Sequence, residues 1–434
     1  MTDIGRRRFI KATGAASVIG LSGCLGGGEN GDGGTSPTTE APMTTTAGGL
    51  QSRTISVGTL LPVSGAFSGI GQTMEDAAQL AFQAVDSGSE KLSVDAQYGD
   101  SQSDPGKAIS GANNLANAGV PAVVGAATTG AFLQTAQQVF IPADIAMCSP
   151  SATAVSITSL DDKDLAFRTA PSDAFQGRVM AQYATEELGH STAASLAIND
   201  AYGTGLADTF ASAFKEMGGT VQTQVSYERG QASYSSRISQ AVEGEPDMLV
   251  LVAKGGATSI QLLKDYYSDF DPERTIMTVD GMNTARIPNE VGRPLKNVVG
   301  TAPTTSGPAR DTFDQMYMDA YDTSPGPFNG QTYDAAAVEL LANARAGENA
   351  GPAIAAEMRG VANTAEDALT VTPENLVEGV EAAAVDDPVN YQGAASPVEF
   401  DENGDLIAAT FGIWKYAPDT ESGFEIITEI DVKA

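Results

Sequence analysis

From residue 54 onward, short apolar runs alternate with longer stretches in which apolar residues recur every three to four positions. The short runs predict strands at 54–61, 92–98, 122–124, 145–148, 194–198, 221–227, 248–252 and 275–279. The helical spacing predicts helices at 71–85, 105–117, 132–140, 175–188, 205–217, 234–242 and 258–267. In 132–140, for example, Phe132, Leu133, Ala136 and Val139 fall on one face. Strands alternating with helices give parallel sheets covered on both faces. The order of the runs predicts two sheets, with Phe167-Arg168-Thr169-Ala170-Pro171 crossing between them. Beyond residue 300 the pattern turns helical, at 310–321, 332–346 and 373–383. It returns to strands over 398–430, with a turn at Asp401-Glu402-Asn403-Gly404-Asp405.

Two neighbouring strands in this pattern end in hydroxyl-rich turns. The run at 122–124 is followed by Gly125, Thr128 and Thr129, and the run at 145–148 by Ser149-Pro150-Ser151-Ala152-Thr153. Such turns offer backbone N–H groups and hydroxyls at the carboxyl edge of a sheet, where open α/β sheets bind ligands. A helix N-terminus there favours an anion. The plainer alternative is that these residues only cap helices, for which Ser and Thr are preferred.

Charge narrows the class of partner. The 434 residues carry 55 acids and 24 bases, a formal net charge of −31. The acids are spread along the chain, which opposes nucleic-acid binding. Self-repulsion on this scale destabilises a compact fold unless salt screens it, as in proteins of extreme halophiles. A hydrophobic share of 42% over this length is enough for two domains with their own cores. Two cysteines, Cys24 and Cys148, make no disulfide framework, and Cys148 reads as a small core residue. One histidine, His190, leaves no HExxH or Cys/His metal cluster, and no GxSxG nucleophile elbow occurs. Gly203-Thr204-Gly205 lacks the third glycine of a dinucleotide loop, with Asp208 in its place. No metal, cofactor or enzymatic activity is expected.

The first 24 residues have a separate logic. Arg6-Arg7-Arg8-Phe9-Ile10-Lys11 resembles a twin-arginine export signal, and the apolar stretch 12–21 is too short to span a bilayer. Leu21-Ser22-Gly23-Cys24 resembles a lipobox, which predicts lipidation at Cys24. Residues 25–53, rich in Gly, Ser, Thr and Pro, predict a disordered tether with a mean reach of roughly 30 Å. The expected location is the extracellular face of the membrane, held there by the lipid at Cys24.

Several stretches together resemble a known family. They are VGTLLPVSGAFSGIGQ (57–72), YGDSQSDPGKAI (98–109), VVGAATTG (123–130), SPSAT (149–153), FRTAPSDAFQG (167–177), NDAYGTGLADTFASAFKEMGG (199–219), GQASY (230–234) and VEFDENGD (398–405). In order and spacing the chain is similar to type 1 periplasmic binding proteins of the leucine/isoleucine/valine-binding branch. The resemblance implies an α/β protein of two doubly wound parallel-sheet lobes, joined by a three-stranded hinge with a ligand cleft between them. It implies lobe 1 at 54–170 and 303–407, and lobe 2 at 171–302 and 408–434. The crossings are expected near 168–171, 300–303 and 406–409.

By the same resemblance, Thr128 and Thr129 hold a ligand's carboxylate, and Ser151 and Thr153 help hold its ammonium. Asp280, in the second lobe, faces that ammonium, and Tyr202 lines the cleft. A zwitterion needs donors at one end and a carboxylate at the other. Two departures bear on the ligand's side chain. Ile70 stands where leucine-binding members have Tyr, and Lys254-Gly255-Gly256-Ala257 replaces their aromatics. Lys254 itself reads as a solvated side chain. The expected function is capture of an amino acid, branched-chain or related, for the permease subunits of an ABC importer. A small amide or carboxylate receptor of the same fold is the alternative. A sensory ligand-binding protein is another, though no transmembrane segment follows in the sequence. A secreted α/β enzyme is opposed by the missing catalytic motifs.

Overall fold

A computed structural model describes residues 49–434 except Thr364 and Glu421. The predicted export signal, Cys24 and most of the tether lie outside the described residues. The tether reading is corrected at its end. Arg53 already starts β1 (Arg53–Leu61), and its guanidinium donates to the Asn343 carbonyl at 2.7 Å and to the Asn343 side chain. Leu50 packs against the core.

Two sheets organise the protein. The first contains β1, β2 (Leu92–Asp100), β3 (Ala122–Gly125), β4 (Ala146–Ser149) and β5 (Ala166–Arg168), in the order β2-β1-β3-β4-β5 and parallel throughout. The second contains β6 (Thr192–Ile198), β7 (Thr220–Tyr227), β8 (Met248–Val252), β9 (Thr275–Thr278) and β10 (Val298–Pro303). The short strands β11 (Leu369–Val371) and β12 (Val389–Tyr391) pair with each other alone. β13 (Ala408–Tyr416) and β14 (Phe424–Lys433) complete the second sheet, ordered β14-β13-β10-β9-β8-β6-β7. β13 runs antiparallel to both β10 and β14, so the second sheet is parallel with an antiparallel edge.

Burial explains why the strands were readable. β3, β4 and β8 are buried at every position, as parallel strands covered by helices on both faces must be. Edge strand β2 is only partly buried and is correspondingly mixed in polarity. Each sheet has its own core. Core residues of the first fall within 55–167 and 313–406, and those of the second within 175–302 and 411–432. The described chain therefore passes between the cores near 168–174, 303–312 and 407–410.

A buried ion pair ties the first of these passages to the third. Arg168 is fully buried at the end of β5, and its guanidinium bonds both Asp405 oxygens, at 2.6 and 2.7 Å. It also donates to the Ala154 carbonyl at 3.0 Å and the Thr158 hydroxyl at 2.9 Å. Removing either charge strands the other in the interior, which typically costs several kcal/mol, roughly 3–5.

Some elements depart from expectation. Helix Thr129–Thr135 continues as a π turn, Ala136–Phe140, and helix Asp173–Gln182 as another, Tyr183–Glu187. Helix Gly351–Ala362 went unpredicted. Within 398–406 only a single bridge, Phe400 with Leu406, has strand character, so the expected strand begins at β13.

Candidate functional site

Carboxyl-end turns of parallel strands from the two sheets meet, as Arg229 after β7 reaches Phe67 after β1, and the sheet order fixes which turns lie beside them. In the first sheet the strand order switches direction at β1, with β2 on one side and β3 on the other. The turns after β1, β3 and β4 are therefore neighbours, at the edge where such sheets bind ligands.

The two hydroxyl-rich turns are bonded to each other. Ser149 Oγ donates to the Ala126 carbonyl at 2.7 Å, and Ser151 Oγ donates to the Ala127 carbonyl at 2.7 Å. Gly125 has φ +131, and a Cβ there would stand 2.5 Å from the Leu60 carbonyl, so only glycine fits beside β1. Thr128 is the N-cap residue of helix Thr129–Thr135, yet its side chain makes no capping hydrogen bond. The plain capping role thus does not account for its hydroxyl. Thr129 is buried, while Thr128 and Thr153 are half-buried. The proton of the Ser151 hydroxyl is committed to Ala127, leaving that oxygen as an acceptor only.

The second sheet supplies charge. Asp200 caps helix Ala201–Glu216 through the Gly203 N–H at 2.9 Å. Its other oxygen accepts from Lys254 Nζ at 2.6 Å. Lys254 Nζ also lies 5.2 Å from the centre of the Tyr202 ring, within cation–π range. Lys254 is thus not the solvated side chain the sequence suggested; only 20% of its side chain is exposed. Burial lowers its pKa, and Asp200 opposes that shift. Asp280 follows β9, half-buried, with Oδ1 3.4 Å from Gln176 Nε2. Burial raises its pKa. The turns holding Lys254 and Asp280 are back to back. Gly255 has φ +71, and a Cβ on it would stand 2.2 Å from the Gly281 carbonyl.

One residue that sequence reasoning missed sits between the two groups. Asp173 opens helix Asp173–Gln182 and is fully buried. Its backbone N–H donates to the Thr153 carbonyl at 2.8 Å. Neither carboxylate oxygen has a hydrogen-bond partner in full geometry, although the Thr153 hydroxyl is close enough to favour the charged form. Burial lifts its pKa from 3.8 to about 7, against the pull of Thr153 and Arg168, and Asp280 adds to the rise. The Tyr202 hydroxyl feels Asp280, Asp173 and Asp200 together, and burial with these charges pushes its pKa far up. Thr153 and Asp173 are thus bonded, and Asp280 and Tyr202 lie within electrostatic reach of Asp173. An acid in the first turn of a helix is common, so nothing local marked Asp173 as more than that.

The two halves also touch at their rims. Helix Thr129–Thr135 approaches helix Ala201–Glu216, and Val155 lies 3.7 Å from where a Cβ on Gly205 would stand. Arg229, in the turn after β7, stacks over Phe67, in the turn after β1, at 5.5 Å. Among the described residues no group of acids, Cys and His is arranged to hold a metal.

The family model for periplasmic binding proteins matches residues 54–377, about three quarters of the chain. The chain belongs to the periplasmic binding protein family. This is a family of solute-binding proteins rather than enzymes, found outside the cytoplasm. Its leucine/isoleucine/valine-binding branch is the one the relatives indicate. A Brucella melitensis protein named Leu/Ile/Val-binding protein homolog 3 is 27% identical over 48% of this chain, which spans only 57% of that relative's length. The chemotactic signal transduction system substrate-binding protein BasB of Halobacterium salinarum is 26% identical over 80% of this chain and 83% of its own. The crystal structure of a leucine-binding protein from Thermotoga maritima superposes with a TM-score of 0.69 at 22% identity, covering 86% of this chain and 98% of that one. That likeness shows the two-lobed fold.

Proposed function

We propose that the protein captures an α-amino acid between its lobes and delivers it to the permease subunits of an ABC importer. Lobe 1 comprises 54–170 and 303–407, lobe 2 comprises 171–302 and 408–434, and closure about the three crossings traps the ligand. The carboxylate is held at the Thr128/Thr129 turn, and the ammonium among Ser151, Thr153 and Asp280, with Tyr202 as a wall. The observation carrying this reading is the cluster of acids at the cleft, above all the buried carboxylate of Asp173 with no full hydrogen bond. A buried carboxylate without a partner is costly, and a ligand cation would supply the missing one. Anchoring by a lipid on Cys24 after twin-arginine export places the protein at the extracellular face.

A sensory role is the second reading, favoured by the Halobacterium relative, whose name refers to chemotactic signal transduction. Calorimetry in molar salt tests the ligand class. An amino acid is expected to bind, and its decarboxylated amine and its deaminated acid to bind far more weakly. Equal binding of the deaminated acid would move the carboxylate or amide alternative ahead.

A further inference from the structure

The notable feature left over is a pair of cations beside the acids. Bases are scarce in this chain, at 24 against 55 acids, yet Lys254 and Arg229 both lie in strand-end turns, after β8 and β7, the two strands that flank β6. They are close enough for Arg229 to oppose the charge on Lys254. Both stand over aromatic faces, Lys254 over Tyr202 in lobe 2 and Arg229 over Phe67 in lobe 1. Arg229 makes no ion pair among the described residues. Lys254 spends one N–H on Asp200, whose second oxygen is occupied by the helix N-terminus at Gly203. An ammonium has three donors, so two remain. The back-to-back turns of Lys254 and Asp280 put the Lys254 turn next to the ammonium position, where a ligand's side chain begins. An aliphatic side chain there would face the largely buried ammonium of Lys254 and the exposed guanidinium of Arg229 and offer them nothing. A carboxylate would satisfy both.

We infer that the ligand is an acidic α-amino acid, its side-chain carboxylate held by Lys254 and Arg229 as the lobes close. Lys254 and Arg229 are then the residues that set specificity. Both cations belong to lobe 2, and Arg229 reaches Phe67 of lobe 1, so the anion is held where the lobes meet. The inference rests on the amino-acid reading above, and the test separates the two.

The full chain in molar salt is titrated with L-glutamate, L-aspartate, L-glutamine and L-leucine, as are the variants Lys254→Met, Lys254→Arg and Arg229→Gln. The parent is expected to bind glutamate or aspartate at least about tenfold more tightly than leucine, the worth of one charge-assisted contact. Lys254→Met should lose about tenfold to a hundredfold for the acidic ligand while leucine binding holds or improves. Lys254→Arg should recover part of the loss, and Arg229→Gln should show the same selectivity in smaller measure. Melting curves check that each variant folds. If leucine binds the parent as tightly as either acidic ligand, or Lys254→Met weakens all ligands alike, the inference is overturned while the amino-acid reading stands. If none of the four binds, that reading fails and takes the inference with it.

Discussion

Asp173→Asn separates the empty protein from the liganded one. The change keeps the shape and removes the ability to ionise. Asp173 is fully buried, and its pKa is raised from 3.8 to about 7. The groups that face it are Thr153, Arg168, Asp280 and Lys254. For an acid whose folded pKa is raised, the associated stability is fully present below the unfolded value. It is lost as pH rises through the folded value. A rise from 3.8 to about 7 corresponds to roughly 4 kcal/mol at most. Asn escapes that loss but buries an amide with unmet hydrogen bonds, at roughly 1–3 kcal/mol. Near pH 5 the variant should therefore melt at or below the parent. Near pH 8 it should melt a few degrees above it. Glu75 and Asp334, also raised to about 7 by burial, are common to both proteins and cancel in the difference. With ligand bound the order should reverse, because the ammonium stabilises the carboxylate, and affinity should fall about tenfold to a hundredfold in the variant. The assay is a set of melting curves from pH 5 to 8.5 in molar salt, with and without ligand. Parent and variant curves that stay parallel across that range would refute the reasoning.

Two further predictions concern the surface and the anchor. Removing residues 1–23 leaves 54 acids against 20 bases, a net charge near −34. Lowering salt from molar to about 0.1 M stretches the screening length from roughly 3 to 10 Å, so the melting temperature should drop; a salt-indifferent melt would remove the halophilic reading. Cys24→Ala should abolish lipid labelling and release the protein from membranes, and membrane association with labelling intact would sink the lipobox reading.

The fold was largely legible because fully buried parallel strands leave unmistakable apolar runs. The prediction for 248–252 matches Met248–Val252 residue for residue. β11 and β12, three residues each, are too short for any periodicity to register. Helix Gly351–Ala362 begins Gly-Pro, which reads as a loop until its packing against the helix before it is known. The two hydroxyl turns were legible as a pair, but not that Ser149 and Ser151 would spend their protons bonding one turn to the other. Asp280 and Tyr202 entered through resemblance. Asp173 and Lys254 were hidden because their significance is topological. One is an ordinary first-turn acid until the crossing folds it under Thr153, and the other is an ordinary surface lysine until Asp200 draws it over Tyr202.

The central claim is that a carboxylate of lobe 2 closes on the ammonium of an amino acid held by lobe 1. Asp280→Asn tests it most directly, since the residue lies on a half-buried turn rather than in the core. Association and dissociation rates of the bound amino acid are measured for parent and variant, with melting curves in parallel. Affinity should fall about tenfold to a hundredfold, almost entirely through faster release, with the fold intact. An Asp280→Asn protein that binds as tightly and releases as slowly as the parent would contradict the account.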